Sequence, residues 1–293
     1  MSGFHRFLRA ITRHYRLPFG DAWFNDRIDR FFRNREPQWL LAPAAGAWPT
    51  MELDLTQKLQ RKFFYFPKLH GWYYGRLPFR AFLTERLTPG STFLDIGSNV
   101  GFFSLLAARL VGPTGRVYSF EPDPDTCEAL RRSAQANGYT HLRTHQLALS
   151  DEVGELTFYR AKDGTANSLV PEAQGREARY ERTLKTPVTT LDKLVADGTI
   201  DPRGIKAIKV DVEGAEPRTV AGMLEALRAA DYPAIWCEVR GPRGSTRAPN
   251  TFVPVRDTLA TIGYRPYIWK AGERRPVVDA DVVKRTDVLF ERD

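Results

Sequence analysis

The sequence is short of the residues that mark several functional classes. It carries only two cysteines in 293 residues, Cys127 and Cys237, with no Cys-x-x-Cys spacing. A zinc ribbon, a dithiol redox centre and a disulfide framework are thereby excluded, and both thiols read as reduced core residues. No stretch approaches the roughly 18 uninterrupted apolar residues of a membrane-spanning helix. Arg6, Arg9, Arg13 and Arg16 interrupt the early apolar positions, so the apolar run of about 7 to 15 residues that a secretory leader needs is absent. The expectation is a cytoplasmic protein. Histidine stops at His145. Proton chemistry in the second half therefore falls to carboxylates, or to residues from the first stretch such as His70 or the phenols of Tyr73 and Tyr74.

What is present is an ordinary globular composition, 42% hydrophobic and 27% charged, with a formal net charge of +8. That charge alone does not discriminate between nucleic acid, anionic lipid, an acidic substrate and a merely soluble surface. From Thr92 onward short β-rich runs alternate with helical stretches, the signature of βαβ units and a doubly wound, mainly parallel α/β sheet. TFLDIG reads as a first strand, Val100 to Leu110 as a helix and RVYSFE as a second strand. Asp125 to Asn137 reads as a helix and LRTHQLAL as a third strand. GELTFYR reads as an added hairpin strand and Lys162 to Arg182, polar and without apolar period, as a loop or lid. IKAIKVDV then forms a fourth strand, Pro217 to Ala230 a helix, AIWCEV a fifth strand and Val253 to Ile262 a helix. RPYIWK and TDVLFE close the chain as a β-hairpin.

The first part behaves differently. Residues 1–86 are rich in aromatics, arginine and proline, have no βαβ rhythm and read as a helical and irregular extension, with the main domain covering 87–293. Phe4, Phe7, Leu8, Ile11 and Tyr15 fall near helical spacing among His5, Arg6, Arg9 and Arg13, a basic amphipathic helix. Docking on the domain is the plain reading of that helix. Peripheral contact with an anionic membrane or a partner is the functional one.

The strongest chemical signal is FLDIGSNVGFF, an apolar strand ending at Asp95 and running through Gly97, Asn99 and Gly101 into a helix that opens at Phe102. Glycines there let the chain turn tightly and let a ligand approach the main chain. The third glycine of a dinucleotide fingerprint is missing, which disfavours a dehydrogenase. The second strand ends in Glu121 and Pro122, a little over 20 residues on. A carboxylate at that distance is placed to accept both hydroxyls of an adenosine ribose. The third strand ends in LALSD, where Ala148 and Leu149 flank a base and Ser150 or Asp151 could meet its amino group.

DIGSNVG, VYSFEPDP, LALSD and IKVDVEGAE, followed by a helix and a strand ending in CEV, resemble the FkbM-type methyltransferases. The similarity runs from about Leu87 to the C-terminus. It implies a seven-stranded class I methyltransferase fold, S-adenosylmethionine (SAM) as the methyl donor, and hydroxyls of sugars, glycans or natural products as acceptors. Ser98, where alanine is usual, and Pro217, early in a helix, are the departures.

In such a sheet ligands bind beyond the carboxyl ends of the strands at the switch in strand order. The turn Asp211, Val212, Glu213, Gly214 and Glu216 closes the fourth strand there. Asp211 is the expected base or acceptor anchor with Glu213 supporting it; the bland alternative makes Glu213 and Glu216 helix caps. A Mg²⁺ ion on Asp211 with Glu238 is a third, less favoured reading, and no metal is assigned. The loop after the fifth strand offers Arg240, Arg243 and Arg247 to an anionic group. Trp72, Tyr73 and Tyr74 offer flat surfaces to a sugar ring. Nucleic acid is disfavoured as acceptor: DVEG replaces an Asn/Asp-Pro-Pro-aromatic turn, no lysine lies between Asp211 and Glu238, and neither cysteine follows a proline. A non-catalytic SAM-binding module is the remaining alternative.

Overall fold

The computed structural model describes residues 39–42, 49–57, 60–61, 64, 78–161, 167–170, 180–241, 249–270, 273–277, 282 and 285–292. The basic helix expected from Phe4, the aromatics at 72–74, and Arg243 and Arg247 lie outside the described residues. The chain opens with a short antiparallel hairpin, β1 (Trp39–Ala42) and β2 (Met51–Asp54), followed by α1 (Pro78–Arg86). It continues β3 (Thr92–Ile96), α2 (Phe102–Val111), β4 (Arg116–Phe120), α3 (Pro124–Ala136) and β5 (Leu142–His145). Then come β6 (Ala148–Leu149), β7 (Gly154–Ala161), β8 (Tyr180–Thr189), α4 (Leu191–Ala196) and β9 (Ile205–Val210). The last part is α5 (Glu216–Ala221), α6 (Leu224–Ala229), β10 (Ala234–Arg240), α7 (Phe252–Ala260), β11 (Tyr264–Lys270), β12 (Glu273–Pro276) and β13 (Arg285–Arg292).

The main sheet runs β12-β11-β13-β10-β9-β3-β4-β5. It is parallel from β10 to β5 and antiparallel through β13, β11 and β12. Without the edge strand β12 this is the seven-stranded class I methyltransferase order, and the strand sequence reverses between β3 and β9. Successive side chains of a strand point to opposite faces, and the sheet divides its core accordingly. Phe93 and Ala207 join α1, α2 and Trp236 on one face, while Leu94, Ile96, Ile208 and Val210 join α5, α6 and α7 on the other. Described parts of the stretch before Leu87 share the first of these cores, through Met51, Leu53, Phe64, Phe79 and Phe82. Cys127 and Cys237 are buried and free, and burial raises both thiol pKa values, that of Cys127 to about 11. Among the described residues no helix is long and apolar enough to cross a membrane.

Four details differ from the sequence reading. LRTHQLAL is two strands: β5 stays in the main sheet, while β6 leaves it to pair with β8 in a second sheet, ordered β6-β8-β7. The polar stretch ends in a strand where a loop was expected to continue, since β8 begins at Tyr180 and runs antiparallel to β7. The helix expected over Pro217 to Ala230 is two helices broken at Gly222 and Met223. A Cβ on Gly222 would sit 2.0 Å from the Ser150 carbonyl oxygen, so the chain needs glycine to pass there, and the helix ends on it. The closing strands do pair, but β13 is inserted between β10 and β11, and β12 adds an outer edge.

Candidate active site

The carboxyl ends of β3, β4, β6 and β9 meet in one cleft. The turn after β3 is shaped by glycine at two places. At Gly97, φ is +76° and a Cβ would lie 1.9 Å from the Asp211 carbonyl oxygen; at Gly101, φ is +80° and a Cβ would lie 2.0 Å from Leu130 Cδ1. Any larger residue would push the turn off β9 in the first case and off α3 in the second. Asn99 adopts the left-handed region without being glycine, with φ of 50°. The Gly97 and Ser98 N–H groups both donate to the Phe120 carbonyl at 3.0 Å, which fixes the loop to the end of β4.

Glu121 closes that end. Its Oε2 accepts the Asn99 N–H at 2.8 Å and its Oε1 the Asp123 N–H at 2.9 Å. Burial pushes its pKa from 4.5 up to about 8; the two N–H donors oppose this, and the charges of Asp123 and Asp95 reinforce it. Each carboxylate oxygen keeps a further lone pair for a donor from the cleft, so the group fits a ribose diol. The cleft is lined by Gly97, Asn99, Glu121 and Pro122 from the first two turns, and by Ala148 and Leu149 from β6. Asp211 and Glu213 face it from the end of β9.

The other expected residues stand behind this lining. Asp95 is fully buried, its Oδ2 accepting from Ser104 Oγ at 2.5 Å, while Ser104 Oγ accepts from Ser119 at 2.7 Å. Gly101 and Phe102 open α2 beneath the loop, with the Phe102 ring 5.2 Å from that of Phe103. Ser150 bonds Thr189 and Asp151, and Asp151 is engaged by Arg218 at 2.8 Å.

Asp211 begins the turn after β9, its N–H donating to the Ile96 carbonyl at 3.0 Å. Glu213 sits at φ 56°. Its carboxylate is 2.8 Å from Arg240 Nη2, and its carbonyl accepts from Ser168 Oγ at 2.8 Å. Arg240 thus pairs with Glu213 within the site. Glu216 is a cap, as the plainer reading had it: Oε1 accepts the Gly214 N–H at 2.9 Å and the Val212 N–H at 3.3 Å. Burial raises the Glu216 pKa, and the Asp211 charge adds to this. Ligand oxygens of Asp211, Glu213 and Glu238 lie within 4.8 Å of one another. Lys209 stands against both Asp211 and Asp95, and Arg240 against Glu213, so two cations already share this ground with the three acids.

Sequence reasoning missed Phe158 of β7, which lines the cleft from the second sheet; Asn167, Ser168 and Leu169, from the stretch read as a loop or lid, line the cleft beside it, Ser168 bridging to Tyr159. It also missed Lys209, whose ammonium lies 3.3 Å from Asp211 Oδ2 and 3.5 Å from Asp95 Oδ1. No lysine stands between Asp211 and Glu238 in sequence, yet the strand itself delivers one to the site. The signal was available: a lysine next to Ile208 and Val210 in a central strand must find acidic partners.

The sequence model of the methyltransferase FkbM domain matches residues 95–266. The chain is 34% identical over 180 residues to the 31-O-demethyl-FK506 methyltransferase FkbM of Streptomyces tacrolimicus, covering 51% of this chain and 64% of that one. It is 26% identical over 150 residues to the hexuronic acid methyltransferase AglP of Haloferax volcanii, covering 51% and 57%. The matches thus span less than two thirds of these relatives. Among solved structures, methyltransferase FkbM from Methylobacillus flagellatus KT aligns with 92% of this chain and 60% of its own, at 16% identity and a TM-score of 0.47. With the family's domain matched over more than half its length, the chain belongs to the FkbM methyltransferase family, whose cofactor is S-adenosylmethionine.

Proposed function

We propose that this protein is an O-methyltransferase that uses SAM to methylate a hydroxyl of a sugar, glycan or related polyhydroxylated molecule. The observation that carries the reading is the shared cleft: the Gly97 to Glu121 cofactor cradle and the acidic turn at Asp211 and Glu213 face one another across it. SAM supplies an electrophilic methyl group when bound. Gly97 and Asn99 give room at the main chain, Glu121 accepts the ribose hydroxyls, and Ala148, Leu149 and Phe158 give the base an apolar seat. Asp211 is the cleft carboxylate suited to orient an acceptor hydroxyl and take its proton, and holding that oxygen at attack distance supplies much of the rate. Glu213, paired with Arg240, serves as a fixed hydrogen-bond acceptor rather than a base. Carboxylates that accept from several hydroxyls suit a sugar better than a lone phenol. Of the two relatives, one is named for a hexuronic acid and the other for an O-methylation of FK506.

The test is transfer of labelled methyl from SAM to a panel of glycans, uronosides, phenols, RNA and DNA, repeated with Asp211→Asn. Label is expected in the saccharides. The variant should bind SAM as the wild type does but turn over about 10²-fold more slowly, the scale of a lost general base. Label confined to nucleic acid or phenols refutes the acceptor class, and an undiminished Asp211→Asn refutes the role of the aspartate.

A further inference from the structure

Lys209 is a buried cation with three acceptors in reach, and they belong to different parts of the site. Its Nζ lies 3.5 Å from Asp95 Oδ1 on β3, 3.3 Å from the Gly97 carbonyl oxygen in the cofactor loop, and 3.3 Å from Asp211 Oδ2 in the cleft. The Phe103 ring centre lies 5.9 Å away and closes another side. Burial opposes the charged form, but the charges of Asp211 and Asp95 outweigh it and keep the lysine protonated. A buried pair with Asp95 would by itself be a structural device, and such pairs are often replaceable by apolar residues without loss. The further reach to Asp211 and Gly97 is what that role does not require. Asp95 also accepts from Ser104, and one ammonium stands between the two carboxylates.

We propose that Lys209 is a positioning residue for methyl transfer: it keeps the Asp211 carboxylate ionised and oriented, and couples its placement to the Gly97 turn that receives the cofactor. This rests on the reading of Asp211 as acceptor anchor. Among the described residues, the charged groups facing Asp211 are Lys209 on its own strand, Asp95 on β3, Glu213 in the turn, Glu216 at the start of α5, and Glu238 and Arg240 on β10. Four of these are acids that favour a protonated Asp211. Arg240 lies 2.8 Å from Glu213. Lys209 is, among the described residues, a cation in direct contact with Asp211, and its removal should strengthen the pull of the acids on the Asp211 proton.

The experiment is carbon-13 NMR of the full chain labelled at the aspartate carboxyls, with the Asp211 signal assigned by its loss in Asp211→Asn. Lys209→Met should move the Asp211 titration up by at least about one pH unit, and Lys209→Arg should return most of it. Lys209→Met leaves Asp95 without its cation and could fail to fold. In that event Asp95→Asn with Lys209→Met, which removes both buried charges, is read in its place. Alongside, Asp211→Asn is assayed for methyl transfer on the saccharide panel. Displaced titration, rescue by arginine and lost transfer in Asp211→Asn support the proposal. An Asp211 signal that titrates at the same pH in wild type and in Lys209→Met overturns it, even if Asp211→Asn is inactive. Displaced titration with full transfer by Asp211→Asn shows instead that the reading of Asp211 fails, and the role of Lys209 falls with it.

Discussion

Glu121 makes the free protein sensitive to alkali in a way that can be calculated. Its carboxyl titrates near 8 in the folded chain against an ordinary 4.5. A raised acid pKa means that the folded state holds its proton more tightly than the unfolded state does. The stability it contributes is complete below pH 4.5 and is lost as pH rises through 8. Between those limits each pH unit removes about 1.4 kcal/mol. From pH 6 to 8, where the curve begins to flatten, the loss is on the order of 2 kcal/mol, or roughly 5 °C in Tm for a chain of this size. Glu121→Gln removes the titration. It also leaves the Asn99 or the Asp123 N–H without its acceptor, at a cost of about 1 to 3 kcal/mol at every pH. The slopes, not the offsets, therefore carry the comparison. Differential scanning fluorimetry from pH 5.5 to 8.5 should show the wild-type Tm falling relative to the variant. Calorimetric SAM affinity should rise by up to about tenfold per pH unit over the same range, because ribose hydroxyls donate best to the ionised carboxylate. The amino group of SAM titrates nearby, and the same series on Glu121→Gln subtracts it. Parallel Tm curves together with a flat affinity difference would refute the reasoning.

Other perturbations test the geometry around it. Gly97→Ala puts a Cβ where the Asp211 carbonyl stands, 1.9 Å away; denaturant unfolding should show a loss of at least about 2 kcal/mol, and SAM binding should disappear with it. Ser168→Ala removes the hydroxyl that holds the Glu213 carbonyl at 2.8 Å, which should cost about 1 kcal/mol in stability and lower kcat more than SAM affinity, read by melting and steady-state kinetics.

The parts of the fold that were legible in sequence are those where one physical demand dominates. The turn after β3 could be read because close approach to Asp211 and Leu130 leaves no choice but glycine at 97 and 101. Strands β3, β4, β9 and β10 could be read because a central parallel strand is apolar on both faces. β8 could not, since Arg182 stands on the side that Tyr180, Leu184 and Val188 would make apolar and Pro187 argues against a strand, and what fixes it is pairing with β7 and β6 from distant sequence. β12 is fully exposed and carries ERRP, so it offers no apolar pattern to read. Gly222 was passed over because an apolar period continues on both sides of it, and only the approach of Ser150 explains the break. At the site, carboxylates at strand ends were found by their place after βα units. Phe158 was not, since it reaches the cleft from a second sheet whose existence the pattern did not show, and Ser168 was read only as part of a loop or lid, its bridge to Tyr159 being a tertiary contact. Lys209 was hidden by being counted as one more residue of a strand.

The polar line across the sheet has a consequence for assembly. Ser119, Asp95 and Lys209 are lateral neighbours on β4, β3 and β9, each paired with the next in the ladder. A slip of β9 by one residue would carry every side chain to the opposite face. The lysine would then lie among Leu94, Ile96 and the apolar sides of α5 to α7, an uncompensated charge in a dry layer, and Asp95 would lose its counter-ion at the same stroke. Val210 and Ile208 would survive such a slip with little complaint, since both faces of the sheet are apolar. Three hydrophilic side chains in a row therefore act as a key that admits one alignment of the two central strands, so the correct pairing of β3 with β9 is enforced by what the misaligned one would bury.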